Sequence, residues 1–272
     1  MFQMLLQESS LVSLSQRKET LSLNLSAIQR EASSEEWALI QKEASNKVSK
    51  LLTTAYFPPV SYFAAMAQDM TGLISRRGDG SSLELSPSVV YIEACENYQK
   101  QSYRNRCSFY AADGVQTLSC PILHEGGTHK IPITELKLDY KKPWVQQHER
   151  AIISAYRTSA YFEYYQDELF EILERKYEKL FDLNIALTRF FIEKTGIKVD
   201  LRLTEDYHVQ PEMDDLREVI HPKRENTILS DLGLEKPYFQ VFSRKYGFQK
   251  DLSIMDLLFN EGPDSILYLK SL

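Results

Sequence analysis

The chain has 272 residues, 43% hydrophobic and 26% charged, the balance of an ordinary globular protein long enough to bury a large core. Its 38 acidic against 32 basic side chains give a formal net charge of −6, which argues against general affinity for nucleic acid or anionic membrane, since both depend on clustered positive charge. The start, MFQMLLQESSL, lacks a basic segment ahead of a long apolar run, and no stretch nears the roughly 18 apolar residues of a membrane span, so a cytoplasmic protein is expected.

Residues 1–32 are rich in Ser, Leu and Gln without a sustained period and read as a flexible lead-in. Ser33 and Glu36 then form a capping-box pair, and Trp37, Ile40, Ala44, Val48 and Leu51 keep helical spacing, which predicts an amphipathic helix over 34–52. Its apolar face packs on the body of the chain or, alternatively, on a partner subunit, so an oligomer formed through this N-terminal helix is one expectation. Residues 1–51 are thereby set apart as an extension from a main domain over 52–272.

LLTTAYFPP (51–59) predicts a buried strand ending at Tyr56–Phe57, because Pro cannot continue a ladder. A helix from about Ser61 follows, with Tyr62, Phe63 and Met66 on its inner face, the usual opening of an α/β layer. Residues 72–88 read as a Gly- and Ser-rich loop insertion and SVVYIEA (88–94) as the next strand. RCSFYAA and VQTLSCPI flank Asp113-Gly114, which predicts an antiparallel hairpin closed by a type I′ turn. After a polar loop over 123–132, ITELKLDY alternates imperfectly as a third strand. Helices follow from Pro143, with Trp144, His148, Ile152 and Tyr156 on one face, then from Ser159 as a cap, then KLFDLNIALTRFFIEKT closed by Gly196. IKVDLRLTEDY reads as a strand, PYFQVF as a short one, and LSIMDLLFNEG as a helix opened by Ser253. The expected fold class is α/β, with mixed α+β as the alternative. It has an N-terminal sheet with a tight antiparallel hairpin, a helical middle, and a strand and helix at the C-terminus.

Lys100, Arg104 and Arg106 follow one another with no acid between them. Strand alternation, carried back from the hairpin, puts them on one face with Ser102, Ser108 and Tyr110, and puts Asn105 on the other with Cys107 and Phe109. The ladder is either an anion site or a solvated strand face. His148, on an apolar helical stripe, is either a core histidine or a general base in a pocket wall. Asp215, Arg217, His221 and Lys223 form an exposed polar loop or a second wall of the same site. Asp256 and Asn260, one turn apart on the last helix, are a polar face or part of that site. Cys95, Cys107 and Cys120 lack paired spacing and read as reduced thiols, the strand cysteines as small hydrophobes. His124, Glu125 and His129 share one loop but fit no metal-ligand pattern, so no metal is expected. No phosphate-cradling Gly loop, nucleophile elbow or HExxH is present, and no motif identifies a cofactor.

YFPPVSYF (56–63), YIEACENYQKQSYRNRC (91–107), LSCP (118–121), PWVQQHERAIISAY (143–156) and LSIMDLLFNEGP (252–263) together resemble the WbqC-like family in order and spacing, over about residues 52–272. The resemblance implies a bacterial protein, in a family some of whose members lie in O-antigen gene clusters, where a transferase of amino-acyl (glycyl) groups has been suggested. The matching polar positions are Tyr56, Lys100, Asn105, Arg106, His148, Ser253, Asp256 and Asn260. In such a transferase Lys100 and Arg106 clamp an anion of a small-molecule substrate such as a nucleotide sugar, Asn105 donates to the oxyanion, and His148 takes the proton of the attacking amine. The alternative is a non-catalytic binding or assembly protein holding a partner through its Tyr-rich surface.

Overall fold

The computed structural model describes residues 49–68, 74–76, 83–85, 88–123, 130–209, 211 and 213–270. The chain divides into two compact units, and nearly everything described belongs to the one made of Ser49–Asp69 and Pro87–Leu272. Of the other unit the described residues form β2 (Ile74–Arg76) and β3 (Leu83–Leu85), an antiparallel pair with Ile74 opposite Leu85. This pair stands where Gly- and Ser-rich composition predicts a loop. The helix expected over 34–52 lies outside the described residues as far as Val48, and its last residues instead belong to β1 (Lys50–Thr53).

The larger unit is α/β. Its sheet has four parallel strands in the order β7-β4-β1-β8, with β4 Ser88–Glu93, β7 Val199–Leu203 and β8 Asp214–Asp215. The sheet is therefore not N-terminal as expected: two of its four strands come from beyond residue 198. β1 is buried along its whole length, with Leu52 paired to Ile92, because a central parallel strand is covered on both faces; its one charged residue, Lys50, donates to the Ala65 carbonyl. It stops at Thr53, three residues short of the expected end, and Phe57 turns at φ 45° ahead of Pro58-Pro59 into α1 (Val60–Ala67).

Every residue of α1 is buried. Phe57 and Phe63 pack edge to face on Phe191 of α4 (Leu180–Thr195), which Gly196 closes at φ 74° as its sequence requires. α2 (Trp144–Tyr156) buries Trp144, His148, Ile152 and Tyr156, the stripe read from the sequence. α3 (Phe162–Glu174) follows, but Ser159 does not cap it: no side chain does, and the Ser159 hydroxyl is buried without a partner. Beyond two one-turn helices, α5 (Ile228–Asp231) and α6 (Ser243–Tyr246), Ser253 caps α7 (Ile254–Glu261) by accepting from the Met255 amide at 3.4 Å. α8 (Ser265–Lys270) ends the described chain.

The hairpin forms as β5 (Arg106–Ala111) with β6 (Gly114–Ser119), Arg106 opposite Ser119 and Ala111 opposite Gly114. Its two-residue turn is Ala112-Asp113, one position earlier than expected. The positive φ of 112° falls on Gly114 alone, so the turn is not type I′. Two expected strands are absent. ITELKLDY gives a 3-10 turn at Ile133–Glu135 and isolated bridges from Lys137 and Leu138, and PYFQVF runs without a ladder into α6. In both, the alternation of apolar residues is broken, so neither has one face to lay on a sheet.

Candidate functional site

The cationic ladder is not a strand face. β5 begins at Arg106, and the residues before it turn, with Gln101 at φ 59°. A turn sends side chains in unrelated directions, and the three cations separate. Arg104 is 3% exposed and spends its guanidinium internally: Nε donates to Glu96 Oε1 at 2.8 Å, Nη2 to Glu96 Oε2, and Nη1 to Gln99 Oε1 at 2.9 Å. Burial pushes the Glu96 carboxyl up and Arg104 pulls it back down. Arg104 is thus a structural ion pair.

Lys100 and Arg106 go elsewhere. With Lys142 they line a cleft of about 550 Å³ between the start of the hairpin, the 98–101 turn and the 139–142 segment ahead of α2. Asn105, Ser119, Tyr98 and Asp139 complete its polar wall. Among the described residues Lys100, Arg106 and Lys142 make no ion pair, and Arg106 Nε has no hydrogen-bond partner. The Asn105 amide nitrogen donates to the Cys120 carbonyl at 3.0 Å, and its buried Oδ1 is unpartnered. Asn105 thus joins the wall to the residue after β6 through one of its two amide N–H groups. Lys223 stands beside this cleft, its Nζ donating to Gln101 Oε1 on the lining.

His148 does not line the cleft. It sits behind the wall, 6% exposed, with Nδ1 2.8 Å from the hydroxyl of fully buried Tyr56. Burial pushes the imidazole down to about 4, and a backbone hydrogen bond to Ser119 opposes the shift. The Tyr56 hydroxyl and His148 Nδ1 share a hydrogen bond whose direction follows the imidazole tautomer. The link runs from α2 through His148 to Ser119, a lining residue opposite Arg106. Cys107 and Cys120 are buried with thiols pushed up by desolvation, which suits small hydrophobes and not nucleophiles.

The remaining expected site residues form two other groups. Arg217 is 6% exposed and bridges Asp215 (Nε to Oδ1 2.9 Å, Nη2 to Oδ2 2.7 Å), Glu93 (Nη1 to Oε2 2.8 Å) and the His208 carbonyl (2.8 Å). Glu93 ends β4 and Asp215 ends β8, so Arg217 ties together the carboxyl ends of parallel strands, the place where open α/β sheets ordinarily take ligands. Here protein charges fill it. His221 is buried, its Nδ1 accepting from the Lys223 amide at 3.2 Å, and burial lowers its pKa. Asp256 is 1% exposed and accepts from Tyr238 and Gln240 at 2.7 Å each, with burial raising its carboxyl to about 6. Asn260 Nδ2 donates to the Asp256 carbonyl at 2.7 Å. Both belong to a buried network on α7 and not to the cleft lining.

The polar and charged lining residues missing from the sequence reading are Tyr98, Gln101, Ser119, Asp139 and Lys142. The residues 124, 125 and 129 weighed for metal lie outside the described residues, and among the described ones no cluster of three or more His, Cys, Asp or Glu could hold an ion. Among the described residues no helix is long and apolar enough to cross a membrane.

Comparison with known proteins places the cleft within a family. The model of the WbqC-like protein family matches residues 83–233, which include the whole cleft and leave Tyr56, Asp256 and Asn260 outside. The chain is 27% identical over 204 residues to the uncharacterized protein Rv1507c of Mycobacterium tuberculosis, an alignment covering 67% of this chain and 87% of that one. No solved structure matches.

Proposed function

The chain belongs to the WbqC-like protein family, and from that premise we propose that it is a transferase whose cleft holds an anionic small molecule, such as a nucleotide sugar, for acyl transfer to an amine. One observation carries the reading: Lys100, Arg106 and Lys142 converge on one concavity with no ion-pair partner among the described residues, whereas nearby Arg104 is fully paired. Uncompensated cations on a concave wall attract anions, and a guanidinium holds phosphate or carboxylate in a fixed fork.

The chemistry that fits is attack of an amine nitrogen on the carbonyl carbon of an activated amino-acyl donor. The C–N bond forms and the bond to the leaving group breaks with its electron pair. Asp139, the carboxylate on the lining, takes the amine proton, while Arg106 and Lys100 balance charge on the anionic group. His148 positions the wall through Tyr56 and Ser119 and does not touch substrate. Glycyl transfer to an amino sugar of O-antigen-type surface polysaccharide, which the family resemblance implies, is one reaction of this type.

Calorimetric titration with UDP-N-acetylglucosamine tests the reading. The wild type binds, and Arg106→Ala weakens binding at least about tenfold, the loss of a charge-assisted pair. No binding, or equal binding by both, overturns it. Binding without turnover is the second reading, favoured by the seclusion of His148 from the cleft. Binding with no transfer from any amino-acyl donor to a nucleotide sugar that carries a free amine selects it.

A further inference from the structure

Lys142 lines a second concavity as well as the first. This one measures about 450 Å³ and is walled by Tyr140, Lys141, Trp144, Glu174 and Lys176. It sits at the start of α2, a 13-residue helix whose N-terminal residue before the first turn is Pro143 and whose first turn no side chain caps. The first-turn amides beyond Trp144, whose N–H donates to the Lys142 carbonyl, and the positive end of the helix dipole therefore add to the three lysines, against the single carboxylate of Glu174. Trp144, 3% exposed and part of this wall, has an indole N–H with no partner. Among the described residues Lys141, Lys142 and Lys176 make no ion pair. Tyr140 lies against Trp144 with ring centroids 5.5 Å apart, adding a flat apolar surface.

We propose that the two concavities are one elongated site that takes a ligand with two linked anionic groups, one on Arg106 and Lys100 and the other on Lys141, Lys176 and the start of α2, with Lys142 between them. A pyrophosphate-bridged nucleotide is the chemical class that fits: two adjacent phosphates, with a flat ring for the Tyr140 wall. Their volumes, about 550 and 450 Å³, each lie in the range of small-molecule sites, so the pair accommodates a ligand longer than either. This rests on the anion cleft proposed above and adds its second half.

Calorimetry on the full chain with inorganic phosphate and with UDP as probes tests it. UDP binds at least about tenfold tighter than phosphate, because it engages both halves. A Lys141→Gln, Lys176→Gln double variant loses at least about threefold for UDP and keeps its phosphate affinity. Removing two charges elsewhere, Lys236→Gln with Lys250→Gln, changes neither, which sets local contact apart from net charge. Phosphate binding that Arg106→Ala abolishes, together with UDP binding no tighter or unaffected by the double variant, overturns the second half and leaves the first. Binding of neither probe overturns both.

Discussion

The hydroxyl of Tyr56 and Nδ1 of His148 lie 2.8 Å apart in a fully buried contact, one layer behind the wall of the anion cleft. Through it the loop after β1 is tied to α2, and α2 to Ser119 on the lining. The histidine that the sequence offers as a general base is thereby a neutral support.

The burial of His148 makes stability pH-dependent. His148 is lowered to about 4, so its stabilisation is complete above the unfolded value near 6.5 and is lost as pH falls through about 4. Asp256 has the opposite sign: raised to about 6, it contributes stability below the unfolded value near 3.8 that is lost as pH rises through 6. Each effect is about 3 kcal/mol, and between pH 4 and 6 they largely cancel. Denaturant unfolding of the wild type at pH 4 and pH 6 should therefore differ little on their account. His148→Gln should lose stability from pH 4 to 6, and Asp256→Asn should gain it. Parallel profiles for both variants would show that neither group titrates as its burial requires.

Arg104 and Arg106, two residues apart, should respond oppositely to substitution. Arg104→Gln leaves the Glu96 carboxylate buried and unpaired and should cost about 3–5 kcal/mol of stability. Arg106→Gln removes a cation that has no carboxylate partner among the described residues and should change stability by less than about 1 kcal/mol while weakening anion binding. Chemical denaturation of the pair checks this, and equal losses would contradict the separation of the two roles.

Arg217→Gln should behave like Arg104→Gln. It strips charge partners from Glu93, which is 0% exposed, and from Asp215, at a cost of about 3–5 kcal/mol without a change in the residual binding of phosphate by folded protein. Lost phosphate binding in variant protein shown folded by circular dichroism would instead put Arg217 in the site.

Gly262 tests the packing of α7 on the loop before α3. A Cβ there would lie 2.5 Å from the Tyr161 ring, and the backbone is at φ +55°. Gly262→Ala should destabilise by about 2 kcal/mol or more, read as a lower midpoint of thermal unfolding. An unchanged midpoint would mean that Tyr161 moves aside freely.

Periodicity made much of the fold legible. β5 buries Cys107 and Phe109 at alternate positions, α2 keeps its apolar stripe, α4 closes on Gly196 and α7 opens on the Ser253 cap, each as the sequence marks them. What failed has physical causes. The cationic ladder came from extending a strand period back through a turn, and Gln101 at φ 59° has no sequence mark as clear as a glycine would be. Arg104 looked unpaired because its partner Glu96, only eight residues back, is brought to it by that same turn. Arg217 looked exposed because Glu93 lies 124 residues away in sequence. Asp139 escaped notice because it falls where a strand was expected, and Lys142 because it lies between that strand and the helix after Pro143; the irregular backbone there is bridged only singly to its neighbours, and both residues line the cleft.

The most direct measurement of the central claim is a crystal structure with UDP-N-acetylglucosamine bound. The predicted result places a phosphate oxygen within hydrogen-bond distance of the Arg106 guanidinium, with Lys142 alongside and His148 still turned to Tyr56. A phosphate held instead at the carboxyl ends of β1 and β4, with Arg217 released from Glu93, would contradict it.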